Sequence, residues 1–181
     1  MLLLASALLT VGVSALGRAQ SPTEYEVKAV FLYNFAKFVE WPGVAGDAPN
    51  EPFVIGILGE DPFGKVLDET LRGKTVNGRT VVIARLLRAK DARGCHIVFI
   101  SGSESRHLHS IFESLQGSNV LTVGETEGFA RQGGAINFTL EESRVRFEIN
   151  IEAAQRAGLK ISSKLLSLAK IVRSAGSVGK S

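Results

Sequence analysis

The side chains with the most chemical potential are His96, His107, His109 and Cys95, and their spacing limits what they can do. His107 and His109 stand two apart on a helical stretch, so their side chains diverge and make no shared metal site. His109 and Glu113 stand four apart and could reach one ion, but two ligands fall short of a metal centre. A surface hydrogen bond or ion pair is the expected arrangement there. Cys95 and His96 are neighbours in the strand-like CHIVFIS, which sends them to opposite faces and excludes a nucleophile–base pair between them. No serine lies in a G-x-S-x-G frame. GILGEDPFG, residues 56–64, carries neither the Walker pattern nor the dinucleotide fingerprint, which leaves only the general ability of a strand-to-helix turn to hold an anion. Glu141-Glu142 reads as solvent-facing charge in a turn. The residues predict no catalytic constellation, no metal site and no cofactor.

Composition narrows the class further. The 181 residues suit one domain, and 45% hydrophobic content can supply a sizeable core. The net charge of +3 is small and its basic residues are scattered among acidic ones, so a nucleic-acid partner is not expected. MLLLASALLTVGVSALGRAQ, residues 1–20, has the apolar run and small residues of a cleaved secretory leader, although its first residues lack the usual positive charge. Cleavage is expected near Ala19 or Gln20, or earlier after Ala15. The apolar run ends at Leu16, short of the roughly 20 residues that span a bilayer. Cys95 is the sole cysteine, so no intramolecular disulfide can form; burial as a small hydrophobe is expected, with pairing to another chain the alternative.

The elements that would position any site follow from hydrophobic periodicity. Ser21-Pro22-Thr23 starts a helix ending around Trp41, before Pro42. On its wheel Val27, Phe31, Leu32, Phe35, Phe38 and Val39 form a broad apolar side, and Glu26, Tyr33, Lys37 and Glu40 form a narrow polar stripe. A loop over 43–51 leads to a strand over 52–59, then a helix over 63–71 capped by Asp61 with Pro62 at its first position. Strands over 79–87, 95–101 and 119–124 follow, with a helix through Leu115 between the last two. Apolar strands alternating with helices predict an α/β fold, a mostly parallel sheet flanked by helices on both faces. AINFTLEESRVRFEINI then predicts a C-terminal antiparallel hairpin at the sheet edge, turning at Glu141-Glu142-Ser143. Asn150 caps a short helix ended by Gly158, and Ile161, Leu165, Leu168 and Val172 make the stripe of a last helix. The expected organisation is a leader over 1–20, one domain over 21–174 and a flexible tail over 175–181.

YEVKAVFLYNFAKFVEWP, CHIVFIS and GGAINFTLEESRVRFEINIEAAQRAGLKISSKLLSLAKIV together resemble the YfiR-like family of exported bacterial proteins, from about Tyr25 to Val172. The resemblance implies a single α/β domain and a periplasmic regulator that is not an enzyme. In the described members it implies binding to the periplasmic part of a membrane-bound diguanylate cyclase, which lowers cyclic di-GMP and biofilm formation. The partner expected is that cyclase or another inner-membrane sensor protein; a homodimer stays open, and the mature domain is not expected to insert into the membrane. The alternative is a periplasmic small-molecule-binding module serving a transporter or receptor. Described members also carry disulfides, and the single Cys95 puts intramolecular redox sensing out of reach here. Candidate partner contacts are Glu26, Tyr33, Lys37 and Glu40 on the first helix, with Arg144, Arg146 and Glu148 alternating along the second hairpin strand.

Overall fold

The structure, a computed structural model, describes residues 23–42 and 51–175. The expected leader, most of the loop after Pro42 and the tail beyond Ala175 lie outside the described residues. The first helix, α1 (Glu24–Phe38), starts in a capping box. Thr23 Oγ1 accepts from the Glu26 N–H, and the Glu26 carboxylate accepts from the Thr23 N–H. It stops three residues before Trp41, because Val39–Glu40 leave the helix as β1 (Val39–Glu40) and pair antiparallel with Lys160–Ile161. Leu32, Phe35 and Val39 are buried as the wheel predicts. The buried face is rotated from the expected one: Lys28, Ala29 and Ala36 are buried, whereas Val27, Phe31 and Phe38 are only partly so.

Beyond α1 come β2 (Phe53–Leu58), α2 (Lys65–Leu71), β3 (Thr75–Val76), β4 (Arg79–Leu86) and β5 (Ile97–Ile100). The expected 63–71 helix begins late, because Asp61 Oδ1 accepts from the Phe63 and Gly64 N–H groups at 2.8 and 3.2 Å and closes a separate turn first. A 3₁₀ turn over Gly102–His107 leads into α3 (Leu108–Ser114), followed by β6 (Leu121–Gly124), β7 (Ile136–Glu141), β8 (Arg144–Asn150) and α4 (Ile151–Arg156). Asn150 Oδ1 caps α4 by accepting from the Ala153 N–H at 3.0 Å. The described residues close with β9 (Lys160–Ile161), α5 (Ser163–Leu166) and β10 (Lys170–Val172).

The main sheet runs β10-β8-β7-β6-β5-β2-β4-β3. Strands β4, β2, β5, β6 and β7 are mutually parallel, β3 and β8 run antiparallel to their neighbours β4 and β7, and β10 lies parallel to β8. The hairpin therefore sits at one end of the sheet, with the three-residue β10 outside it. Its turn places Glu142 and Ser143 at positive φ, 49° and 61°, as a two-residue hairpin turn requires. Alternation sends Ile97 and Phe99 into the core shared with α1 and α2, and Val98 and Ile100 into a second core with Leu108 and Ile111 of α3.

The expected last helix is a correction. Ile161 is taken by pairing with Val39, Ser162 then caps a single turn, and Ile171-Val172 join the edge of β8 instead of continuing helically. Leu165 and Val172 are buried as the stripe required, but Leu168 is 65% exposed. Serines at 162, 163 and 167 compete with helical hydrogen bonds, and the β-branched pair at 171–172 fits an open strand edge better.

Helix α1 lies across the hairpin through an aromatic seam. The Phe35 ring sits 5.6 Å from Phe138 and 5.2 Å from Phe147, and Phe31 sits 5.2 Å from Phe147, between centroids. Replacing Phe35 by Ala is expected to cost about 3–5 kcal/mol in urea unfolding. Lys37→Ala, on the exposed stripe, is expected to cost less than about 0.5 kcal/mol; similar losses for both would contradict the assigned helix face.

Candidate functional site

A site begins where two neighbouring strands differ in length. Strand β6 stops at Gly124, whereas β7 runs on to Glu141, and the two pair only through Val123–Ile136 and Gly124–Asn137. Past that point the edge of β7 lies open. The first turns of α1 cross one face of it, and a cavity of about 790 Å³ opens around the edge at the carboxyl ends of the parallel strands. That end of an open α/β sheet is where ligands usually bind. Tyr25, Lys28 and Phe138 line the cavity on the α1 face, while Asn137, Thr139 and Glu148 alternate onto the opposite face of the hairpin.

The far wall is the segment joining β6 to β7, and it is held by a buried ring. Phe129 is fully buried against Gly124 and Gly134, where an added Cβ would lie 2.4 and 2.0 Å from the ring, so only glycine fits either position. Asn150 also ties this segment down, since its Nδ2 donates to the Ala130 carbonyl at 2.7 Å. Arg131 and Glu127 are thereby held at the rim of the cavity, exposed. On the inner side Asn137 is 2% exposed, and its amide is assigned with Nδ2 toward the Thr126 and Gly124 carbonyls at 3.1 and 3.3 Å.

Lys28 is the electrostatic centre. Its ammonium contacts Glu24, one turn earlier, and donates to Glu125 Oε2 at 2.7 Å, just past the end of β6. Burial works to lower its pKa, but the hydrogen bonds to Glu125 and Glu24 outweigh that and hold it above the ordinary 10.5. The same ammonium lies 4.6 Å from the Tyr25 ring centroid and 5.8 Å from that of Phe138. Burial first and the Glu125 charge second raise the pKa of the Tyr25 phenol, so it stays protonated and donates weakly to Glu125 at 3.4 Å. Helix and sheet are thus pinned by a charged contact at one end of α1 and by aromatic rings along its middle.

The residues singled out from the sequence are dispersed. Glu26 belongs to the helix cap, Tyr33 donates its hydroxyl to the Thr75 carbonyl at 3.0 Å, and Lys37 and Glu40 are exposed. Arg144 and Arg146 are exposed on β8, but Glu148 is only 8% exposed and lines the cavity. The α1 stripe and the β8 arginines do not converge: Phe147 faces α1, so Arg146 and Glu148 point to the other face. Tyr25, Lys28, Glu125, Arg131 and Asn137 are the additions that sequence reasoning missed. Lys28 had a signal, because it lies on the same helical line as Leu32, Phe35 and Val39.

The other chemistry-bearing side chains remain structural. His107 and His109 pair with Glu104 and Glu113 on the surface at 3.4 and 3.3 Å. Among the described residues no group of three or more His, Cys, Asp or Glu side chains could hold a metal ion. The turn after β2 is occupied by its own anion, since Asp61 caps its N–H groups and pairs with Arg85 at 2.8 Å. Burial pushes the Cys95 thiol up to about 11, which leaves it an unreactive core residue. His96 Nδ1 accepts from the Val54 N–H at 3.1 Å, and the ring stacks on Phe53 with centroids 4.4 Å apart. Burial, helped by the Arg79 charge, lowers its pKa to about 4.

The family model described as YfiR/HmsC-like matches residues 25–170. The chain belongs to the YfiR/HmsC-like family. Among solved structures it is similar to a conserved domain protein from Vibrio cholerae O1 biovar El Tor, at 12% identity and a TM-score of 0.55, covering 82% of this chain and 60% of that one. Two others are more distant. An ABC domain from Streptococcus pneumonia in complex with L-Trp shares 12% identity at a TM-score of 0.49, over 66% of this chain and 55% of that one. A ligand-free, open substrate-binding protein with adhesive properties from Clostridium difficile shares 11% identity at a TM-score of 0.45, over 68% of this chain and 55% of that one. This member of the YfiR/HmsC-like family thus spans well under two thirds of the length of each of these three chains, and the first of them shares its fold. Among the described residues no helix is long and apolar enough to cross a membrane.

Two outcomes test the electrostatics. Lys28→Met, which strands the Glu125 carboxylate, is expected to cost about 3 kcal/mol, and adding Glu125→Gln is expected to restore much of it in a double-mutant cycle. For His96 the folded pKa is depressed from 6.5 to about 4, so its contribution is present above pH 6.5 and lost as pH falls toward 4. Unfolding free energy is expected to fall over that window by up to about 1.4 kcal/mol per pH unit, with a shallower slope in His96→Asn.

Proposed function

We propose that this chain is a periplasmic regulatory protein that binds and inhibits the periplasmic part of a membrane-bound diguanylate cyclase, lowering cyclic di-GMP and biofilm formation. The observation that carries the reading is membership in the YfiR/HmsC-like family over residues 25–170, which supports a regulatory role in the periplasm. The same reading makes the chain a binding protein rather than an enzyme. In this reading residues 1–20 are a cleaved export leader, 21–174 the acting domain and 175–181 a tail. The candidate partner contacts lie on two separate surfaces, Glu26, Tyr33, Lys37 and Glu40 on α1, and Arg144 and Arg146 with the less exposed Glu148 on the far face of β8. A second reading, a small-molecule-binding module serving a transporter or receptor, is favoured by one observation, the polar cavity at the strand ends.

Cyclic di-GMP measured in four strains tests the first reading. Deleting the gene is expected to raise the level, and restoring the exported protein to lower it. A version lacking residues 1–20, confined to the cytoplasm, is expected to fail, and Arg146→Ala in the exported protein is expected to restore only partial inhibition. Unchanged cyclic di-GMP on deletion, in a strain that expresses the protein, would sink the cyclase reading.

A further inference from the structure

We infer that a cavity at the amino ends of the parallel strands is a binding site for a phosphate group, free or carried as a monoester, held by Arg79, Arg93 and His96. This cavity, of about 380 Å³, lies at the opposite end of the sheet from Lys28. Arg79 opens β4, Arg93 belongs to a 3₁₀ turn over Ala89–Gly94, and His96 immediately precedes β5. Three separate stretches of chain thus bring donors to one hollow. Among the described residues Glu51 is the one acidic side chain that lines it, and Glu51 is exposed.

The two arginines are fixed in place without being neutralised. Arg79 donates from Nε to the Glu51 carbonyl at 2.8 Å and from Nη2 to the Pro52 carbonyl at 3.2 Å. Arg93 donates from Nε to the Ser114 carbonyl at 2.8 Å and from Nη2 to the Gln116 carbonyl at 2.9 Å. Each guanidinium is therefore oriented by backbone while its Nη1 group stays uncommitted. Among the described residues neither makes an ion pair, in contrast to Arg85 and Arg88, whose charges are met by Asp61, Asp68 and Asp91. Carbonyl dipoles hold the planar forks, but only an anion compensates their charge. His96 supplies an independent observation. Its Nδ1 accepts from the Val54 N–H at 3.1 Å, so the neutral ring carries its proton on Nε2. That N–H is buried and meets no acceptor among the described residues, and a buried donor left unpaired is costly. The ring itself lines the cavity and is held by stacking on Phe53. A phosphate presents oxygens in several directions and so serves donors from three segments at once, whereas a carboxylate keeps both oxygens in one plane. This inference does not rest on the cyclase reading, since it concerns the isolated protein.

The test titrates the exported chain with inorganic phosphate and with phenyl phosphate, and with succinate as a dicarboxylate control, in about 0.15 M NaCl to screen unspecific attraction. Calorimetry is expected to show saturable binding of phosphate or its phenyl ester at least about tenfold tighter than succinate. Either order between those two supports the site, and the tighter one names the source, free ion or monoester. Backbone amide shifts are expected to concentrate at 79, 93–96 and 118–119, with the His96 ring nitrogens moving in the same titration. Arg93→Gln is expected to weaken binding by about tenfold or more, and Arg106→Gln, at an exposed arginine outside the cavity, to leave it unchanged. Succinate binding as tightly as both phosphates, shifts centred elsewhere, or unchanged affinity in Arg93→Gln would overturn the assignment. So would the absence of saturation up to about 10 mM of either phosphate. Should Arg93→Gln fail to fold, the location of the wild-type shifts and the phosphate-to-succinate ratio decide alone.

Discussion

The seam between α1 and the β7–β8 hairpin, Phe31 and Phe35 against Phe138 and Phe147, sets the geometry on which the cavity rests. Among the described residues α1 is the first element and the hairpin one of the last, so this contact closes the core on one face of the sheet. It also fixes the height at which the first turn of α1 crosses the sheet. Rings of this size stay in place only when close-packed on both sides, and here the partners are one another. With the seam in register, Lys28 falls opposite Glu125 at the end of β6, and the open edge of β7 becomes one wall of a cavity rather than bare surface.

Lys28 carries that arrangement from packing into electrostatics. A buried ammonium is tolerated because two carboxylates meet it, one from its own helix and one from the sheet. Such a pair adds little net stability compared with apolar packing, but it penalises any other placement of α1 because either partner left alone would be a buried charge. Glu148, on the other face of the hairpin, pairs instead with the exposed Lys170 at 3.4 Å.

Much of this was legible in the sequence. Alternating apolar strands and helices predicted a mostly parallel sheet, and Phe138 and Phe147 fell on one hairpin face by period two. The cap at Asn150 and the termination at Gly158 followed from local chemistry. The failures share a cause. The stripe Ile161, Leu165, Leu168 and Val172 satisfies helical spacing, but strand edges offered by β1 and β8 captured its two ends, and no local pattern reveals an edge formed by distant segments. Glu148 was grouped with Arg144 and Arg146 as a partner contact because alternation identifies a face without saying what covers it. Glu125 carried no signal at all, since its role depends on β6 ending one residue earlier beside a helix nearly a hundred residues away in sequence.

The regulatory role proposed here depends on a physical partner in the inner membrane, and identification of that partner tests it most directly. The exported protein, tagged at its C-terminus, would be purified from solubilised membranes and its stoichiometric companion identified by mass spectrometry. The account predicts a membrane protein carrying a diguanylate cyclase domain, with recovery reduced by Arg144→Ala or Arg146→Ala in a folded variant. Recovery of the protein without a membrane companion, or with a transporter or receptor subunit in the place of the cyclase, would contradict it.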